Sequence, residues 1–189
     1  LMKRIVIFAS GSGSNAENIY HYFNGNNVEV TGIFTNNKKA KVLERANRLQ
    51  IKSNVFSRTD FLTEPFLEHS FFKDIDLIVL AGFLWKVPEY MITVFQNKIV
   101  NIHPALLPKY GGKGMYGMHV HNAVVENNES ETGITIHYVN ERYDEGAIIF
   151  QATTPVLKTD TPEDVVAKIH ELEFEHFPKI IEKILFDNE

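Results

Sequence analysis

Three polar side chains in the second half of the chain are of the types that acyl transfer uses. Asn101 and His103 stand two residues apart at the end of an apolar run, so a β-strand there places both on one face. An amide donor beside a titratable imidazole can stabilise an oxyanion and move a proton. A carboxylate, Asp144, would hold that imidazole charged and oriented if the fold brings the two together. Each residue also has an ordinary interpretation, as a satisfied histidine, a turn-forming Asn or an Asp-x-Gly turn.

A second candidate is the Gly/Ser loop from Ser10 to Asn15, which follows an apolar run and precedes a helical pattern. Its glycines permit a tight turn, and the N-terminus of the next helix offers free N–H groups to an anion. The spacing also fits a dinucleotide loop, but the next strand ends in Thr35-Asn36-Asn37, without the carboxylate that would hold a ribose. We therefore predict a phosphate monoester site, with an ordinary strand-to-helix turn as the alternative.

Other titratable residues carry weaker signals. His119 and His121 have a spacing that metal ligands use, but no third ligand is evident, and we predict no metal site. His137 lies on one face of an alternating strand pattern. We interpret it either as a histidine of the core or as one that supports the site residues from behind. Glu173 lies in an acidic helical stretch whose default interpretation is a solvated face.

The elements that must position these residues alternate along the chain. The continuous apolar run from 77 to 81 indicates a strand covered on both faces, as in parallel α/β sheets. A short polar link between the last two strands favours antiparallel pairing. Strands are predicted at 5–8, 28–34, 54–57, 77–81, 98–103, 133–139 and 147–156. Helices are predicted at 16–23, at 42–49, at 64–72, from Pro88, at 120–126 and at 161–177. Pro178 is predicted to break or kink the last helix before the segment 180–186.

These elements predict an α/β fold: a Rossmann-like, mostly parallel sheet with helices on both faces, antiparallel C-terminal strands and a long C-terminal helix. Such sheets bind ligands at the carboxyl ends of their strands. We see no linker and predict one domain over 1–189, with an N-terminal phosphate-binding half at about 2–104 and a C-terminal half at about 105–189.

Composition narrows the function classes. The 24 acidic and 19 basic residues give a formal charge of -5, with no Lys/Arg block, which disfavours nucleic acid and membrane surfaces as partners. The absence of Cys excludes disulfides, thiol nucleophiles and Cys-ligated zinc. The longest apolar run, Ile75 to Trp85, is too short to cross a bilayer, and the start lacks a signal-peptide pattern. We expect a cytoplasmic enzyme that is a monomer or a homodimer.

The segments above, in this order, resemble the folate-dependent formyltransferases. The stretch Asn-Ile-His-Pro-Ala-Leu-Leu-Pro at 101–108, with the distal Asp144, is specific to that superfamily. The loop Gly-Ser-Gly-Ser-Asn narrows the resemblance to the glycinamide ribonucleotide transformylases. This resemblance extends over residues 2 to 186. The resemblance implies that the formyl group of 10-formyltetrahydrofolate, a co-substrate, passes to the amine of glycinamide ribonucleotide in purine biosynthesis, without a metal.

The resemblance also implies residue roles and exposes some departures. Ala105 stands where the family commonly has Ser, His170 where relatives have Gln, and Trp85-Lys86 replaces a different pair. The glycine-rich stretch 111–118 is longer than in some relatives. Two interpretations of this stretch stay open, a mobile lid over the substrate and a long surface turn. The implied roles are catalysis for Asn101, His103 and Asp144; ribonucleotide binding for Gly13, Ser14, Asn15, His170 and Glu173; and folate binding for Leu84, Trp85, Lys86, Val87, Asn101, Asn140, Glu141 and Asp144.

Three other functions are alternatives to formyl transfer. A 10-formyltetrahydrofolate hydrolase shares the catalytic trio but usually carries an extra N-terminal domain, for which this sequence has no room. A methionyl-tRNA formyltransferase would need a longer, basic C-terminal domain. A nucleotide-phosphate binding module without turnover would have no need of the complete set of Asn101, His103 and Asp144.

Overall fold

A seven-stranded sheet forms the centre of the protein in the computed structural model, which describes residues 1–187. The strands lie in the order β3-β2-β1-β4-β5-β6-β7. The first five pair in parallel, and β6 and β7 each run antiparallel to the strand before them, which confirms the predicted mixed sheet. The strands are β1 Lys3–Phe8, β2 Val28–Thr35, β3 Ser53–Val55, β4 Leu77–Leu80, β5 Ile99–His103, β6 Glu131–Tyr138 and β7 Ile148–Pro155.

Helices cover both faces of the sheet because alternate residues of its central strands enter different cores. In β1, Ile5 and Ile7 join an aliphatic core, whereas Val6 and Phe8 join an aromatic core on the opposite face. The first core contains residues of α1, α2 and α6, and the second contains residues of α3 and α4. The α-helices described are α1 Ser14–Phe23, α2 Val42–Leu49, α3 Arg58–Phe61, α4 Glu89–Val94, α5 Met118–Glu126 and α6 Pro162–Phe186.

The helix predicted over 64–72 is wrong. The structure has two short 3-10 turns there, Glu64–Glu68 and Ser70–Phe72, separated by the extended backbone of His69. The reason is the spacing of three phenylalanines at 66, 71 and 72, all of which are buried in the aromatic core. Offsets of five and six residues do not share one face of an α-helix, and the break at His69 lets all three insert.

The sequence predicts a break or a kink at Pro178, and the break is wrong because the C-terminal helix α6 runs through this residue without interruption. Proline has no N–H to donate to the carbonyl four residues earlier, which leaves the oxygen of Phe174 without its helical partner. The side-chain amide of Asn18 in α1 donates to that oxygen at 3.0 Å. A packed neighbouring helix thus supplies the hydrogen bond that the proline removes. At the other end Thr161 caps the helix with a capping box to Asp164, as its sequence predicts.

Apart from the short helix α3 Arg58–Phe61, which the sequence analysis does not predict, the remaining strands and helices agree with the prediction to within a few residues. The edge strand β3 is shifted, to 53–55 rather than 54–57. The loops that follow β1 and β4 are hydrogen-bonded to each other, since Ser10 N–H donates to the Gly82 carbonyl at 3.0 Å. Across residues 1–187, no helix has the length and apolar content to cross a bilayer.

Candidate active site

Strand β5 presents two of the predicted catalytic residues at its carboxyl end. Asn101 is half-buried and pairs across the sheet with His137 of β6, and His103 is only 4% exposed. The side-chain nitrogen of Asn101 lies 3.1 Å from Nε2 of His137. The third predicted residue, Asp144, comes from the link between β6 and β7. The structure brings all of these side chains together.

Asp144 joins the two histidines. Its Oδ1 lies 3.6 Å from Nδ1 of His103 and 3.7 Å from Nε2 of His137. The other oxygen, Oδ2, accepts a hydrogen bond from the backbone N–H of Gly112 at 2.9 Å. Asp144 adopts the left-handed backbone region, with φ of 55°, which is uncommon for a residue with a side chain and costs energy that neighbouring contacts must offset.

The hydrogen bonds of His103 define its protonation. Its Nε2 lies 2.7 Å from the carbonyl oxygen of Tyr110, which only accepts, so Nε2 carries a proton. Burial lowers the pKa of His103 below its usual value, and this outweighs the opposing effect of Asp144. The free protein therefore holds a neutral imidazole whose Nδ1 lone pair faces Asp144, rather than the resting imidazolium that the sequence suggested.

Asp144 itself is ionised. Burial acts to raise the pKa of this carboxyl, but its contacts with His137 and His103 and the Gly112 N–H together lower it below its ordinary value. A neutral imidazole beside a carboxylate can act as a general base, because the carboxylate stabilises the cation that forms when the ring accepts a proton.

The Gly/Ser loop lies between β1 and α1 and is shaped by one glycine. Gly13 has a φ of +75°, and a Cβ added to it would lie 2.4 Å from a methyl group of Val42 in α2. No side chain caps α1 at Gly13, so the start of the helix is open to an anion. Arg45 supports the loop from α2, donating to the Ser12 carbonyl at 2.7 Å and pairing with Glu17 at 3.0 Å.

A cavity of about 350 Å³, which we name the loop cavity, opens beside this loop. Glu173 lines it from α6 and is 7% exposed, so its solvated-face interpretation is wrong. Burial raises the pKa of Glu173 to about 7, against a hydrogen bond from Asn15 that lowers it. His170 lies one helical turn earlier, its Nε2 3.9 Å from Oε1 of Glu173. All five residues predicted to bind the ribonucleotide line this cavity: Gly13, Ser14, Asn15, His170 and Glu173.

A second cavity, of about 360 Å³, lies on the other side of Asn101 and is named here the Trp85 cavity. Its wall is apolar where Leu80, Val87 and Val139 line it, and Asp144 lies at its polar end. The predicted folate-binding residues that line it are Leu84, Trp85, Lys86, Val87, Asn101, Asn140 and Asp144.

Glu141 is the predicted folate-binding residue that the structure does not bring into the Trp85 cavity. It is exposed and absent from the cavity lining. The side chain of Asn140 accepts a hydrogen bond from the N–H of Arg142 at 2.9 Å, which turns the chain at Glu141. The intervening side chain therefore faces solvent.

Sequence patterns did not single out three residues that the structure places at the site, although one of them, Tyr116, lies in the glycine-rich stretch 111–118. Arg58 lies over the ring of Trp85, its guanidinium carbon 4.8 Å from the centroid. Tyr110 supplies the carbonyl that holds His103, and Tyr116 lines both cavities. No sequence signal distinguishes them, because each contact depends on loop conformation. Among residues 1–187 there is no group of three metal-ligating side chains, which leaves His119 and His121 without a third ligand.

The fold and site define a class of protein: an α/β protein with a buried histidine–carboxylate pair, an amide side chain and two adjoining cavities at the carboxyl ends of its strands, an arrangement that suits a group-transfer enzyme. Residues 3–181 match the family model described as formyl transferase. The chain belongs to the formyl transferase family.

Known relatives agree with this assignment. The chain is 35% identical over 187 residues to the chloroplastic phosphoribosylglycinamide formyltransferase of Arabidopsis thaliana, covering 95% of this chain and 64% of that one. It is 34% identical to the phosphoribosylglycinamide formyltransferase of Haemophilus influenzae, covering 95% and 86%. The chain thus spans less than two thirds of the plant relative's length.

Solved structures show the same fold. The glycinamide ribonucleotide transformylase 1 of Geobacillus kaustophilus superposes with a TM-score of 0.87 at 33% identity, covering 98% of this chain and 100% of that chain. The phosphoribosylglycinamide formyltransferase of Bacillus Halodurans gives a TM-score of 0.86 at 34% identity, covering 99% and 97%. The predicted Rossmann-like α/β fold is confirmed.

Proposed function

We propose that this protein transfers the formyl group of 10-formyltetrahydrofolate to the amine of glycinamide ribonucleotide, a step of purine biosynthesis. The observation that carries the proposal is the position of Asn101, which lines both the loop cavity and the Trp85 cavity. A donor at the junction of two substrate cavities is where the acceptor amine and the formyl carbon would meet. The names of the relatives support the same reaction.

The loop cavity fits a ribonucleotide monophosphate. Gly13, Ser14 and Asn15 at the N-terminus of α1 would hold the phosphate, because N–H groups and the helix dipole favour an anion there. Glu173 provides acceptors for ribose hydroxyls at the opposite wall, with His170 beside it. The acceptor amine would then lie toward Asn101.

The Trp85 cavity fits a flat, partly apolar heterocycle. The segment from Leu84 to Val87 offers backbone groups and the indole of Trp85, while Asn140 and Asp144 offer polar partners. Three cations line the cavity, Lys86, Lys113 and Arg142, against one carboxylate, Asp144, in a protein of net charge -5. This local charge suits a substrate that carries carboxylates, as folates do.

The chemistry requires a base, an oxyanion donor and a proton carrier. The amine nitrogen bonds to the formyl carbon, the Asn101 amide stabilises the resulting oxyanion, and the bond from that carbon to N10 then breaks. His103, neutral at rest, accepts the proton that the amine loses and delivers it to N10, directly or through water. Asp144 stabilises the imidazolium between these steps. No covalent enzyme intermediate is needed.

Holding both substrates at one junction makes the attack effectively unimolecular, which lowers the barrier by several kcal/mol. A hydrolase would use the same trio but would have no use for a loop cavity that carries Glu173 and a phosphate loop. A binding module would have no use for a buried His103–Asp144 pair.

The test is the absorbance change of 10-formyl-5,8-dideazafolate with and without glycinamide ribonucleotide. Formyl transfer predicts turnover only when the ribonucleotide is present. Turnover without it would identify a hydrolase, and absence of turnover from folded protein would indicate a binding module. Asn101→Ala should lower kcat on the order of a hundredfold, as the loss of one oxyanion donor does. Asn47→Ala, at an exposed position of α2, is the matched control.

A cytoplasmic location and a monomeric or homodimeric state complete the proposal. Cell fractionation and light scattering of the purified protein test these two expectations separately from the activity.

A further inference from the structure

His121 is a buried histidine for which the reaction described above has no use. It lies on α5, is 4% exposed and lines the loop cavity. Neither ring nitrogen has a hydrogen-bond partner within residues 1–187, and Nδ1 is sealed from solvent. Leaving a buried polar group unpaired is costly, and native proteins keep few such groups. Because Nδ1 is sealed, Nε2 is the ring nitrogen through which His121 can contact a ligand in the loop cavity.

The ring is neutral. Burial, followed by the nearby His170 and His103, lowers the pKa of His121 to about 4. A neutral imidazole carries one proton, and a sealed acceptor without a partner is tolerated more readily than a sealed N–H. The proton therefore belongs on Nε2, the nitrogen not sealed, which makes His121 a hydrogen-bond donor to the loop cavity.

The position of the ring defines which ligand group it meets. His121 interacts electrostatically with both His170, which lies beside Glu173 at the ribose end, and His103, at the reaction end. Between the ribose and the amine, glycinamide ribonucleotide has a single strong acceptor, the carbonyl oxygen of its amide. In the proposed function the ribose hydroxyls have Glu173, which lines the same cavity, as their acceptor.

We propose that His121 is a positioning residue that donates from Nε2 to the glycinamide carbonyl and thereby directs the amine toward the formyl carbon. This inference rests on the proposed function, since it concerns the same substrate. Its consequence is specific to one ligand: the ribonucleotide loses affinity when the donor is removed, and the folate does not.

Calorimetric titration with glycinamide ribonucleotide and steady-state kinetics test this with two variants. His121→Leu should weaken ribonucleotide binding and raise its KM by roughly tenfold, the effect of one uncharged hydrogen bond, with the KM for the folate unchanged. His121→Gln, whose amide nitrogen reproduces the position of Nε2, should recover most of the affinity. His119→Leu, exposed on the same helix, is the control. Equal affinity in the wild type and His121→Leu would overturn the proposal.

Stability separates positioning from a structural role. Because the ring is unpaired in the free protein, His121→Leu should unfold at the same urea concentration as the wild type or a higher one. A lower midpoint, with ribonucleotide affinity falling equally in His121→Gln, would show that His121 only supports the fold.

A substrate analogue extends the test to the unmodified enzyme. An analogue with a methylene in place of the glycinamide carbonyl should bind the wild type and His121→Leu equally. If His121→Leu weakens this analogue as much as the natural ribonucleotide, the carbonyl is not the partner and the inference fails. If wild-type protein binds glycinamide ribonucleotide at micromolar to millimolar levels but does not turn over, only the proposed function fails. If it does not bind at all, both fail.

Discussion

The side-chain nitrogen of Asn101 lies 3.1 Å from Nε2 of His137, and this contact defines which way the amide faces. Nδ1 of His137 lies 2.9 Å from the carbonyl oxygen of Tyr138 and must therefore carry the proton. Nε2 is then the acceptor, and one N–H of Asn101 donates to it. The second N–H of the amide is left for the junction of the two cavities.

His137, which also lines the Trp85 cavity, therefore orients the proposed oxyanion donor. His137→Leu should lower kcat by up to about a hundredfold, because a misplaced amide loses its hold on the developing charge, while the KM values change little. His137→Gln restores an acceptor near the position of Nε2 and should recover much of the rate. Steady-state kinetics on the two variants check this, and a large rise in either KM would instead place His137 in substrate binding.

Asp144→Asn changes the charge beside His103 while preserving the shape of the site. We expect kcat to fall on the order of a hundredfold or more. Asp144 acts to raise the pKa of His103, so the variant's acidic limb in the pH profile of kcat/KM should move to lower pH. Glu145→Gln, at the exposed neighbouring residue, should leave both quantities unchanged. A slower enzyme with an unmoved acidic limb would contradict the assigned partner of Asp144.

Gly13→Ala tests the phosphate loop. Its φ of +75° is costly for alanine, and the new Cβ would collide with Val42. The variant should lose about 1–3 kcal/mol of unfolding free energy in urea, and its KM for the ribonucleotide should rise. Gly11→Ala, whose added Cβ meets nothing within 4 Å, serves as the stability control. Equal loss in both variants would show that the conformation of residue 13 is not the cause.

The parts of the fold that sequence predicts well are those set by local periodicity. The apolar run that ends at His103 predicts a strand, and the structure has one there. Because side chains alternate along a strand, Asn101 and His103 lie on the same face. The helix over 64–72 and the break at Pro178 were mispredicted because distant partners decide both. Three phenylalanines enter one aromatic core, and Asn18 satisfies the carbonyl that Pro178 leaves unpaired.

The site shows the same division. Alternation and loop composition indicated Asn101, His103 and the phosphate loop, whereas only the resemblance connected Asp144 to them. The burial of Glu173 also depends on tertiary structure, because its acidic neighbours suggest a solvated surface while the helix α6 turns this one side chain into the loop cavity. The outward position of Glu141 depends on a turn closed by Asn140, which a resemblance cannot supply.

The burial of Glu173 has a consequence for stability that is separate from substrate binding. Its pKa is about 7 in the folded protein, and the ordinary value of 4.5 applies to the unfolded chain. Between these values the folded state binds more protons, so wild-type stability falls as pH rises from 4.5 to 7. Glu173→Gln removes this ionisation. The free energy of unfolding of the variant minus that of the wild type should therefore be about 3 kcal/mol larger at pH 8 than below pH 4.5.

Urea unfolding of Glu173→Gln and the wild type at pH 4 and pH 8 measures this difference. Glu171→Gln, two residues earlier and exposed, should show no pH-dependent gain. The same substitution that stabilises the fold at pH 8 should raise the KM for glycinamide ribonucleotide, because an amide is a weaker acceptor for ribose hydroxyls than a carboxylate. A variant that gains stability without losing ribonucleotide affinity would show that the cavity keeps Glu173 for something other than the ribose. If Glu173→Gln gains the same stability at both pH values, the ionisation of Glu173 is not the source of the gain.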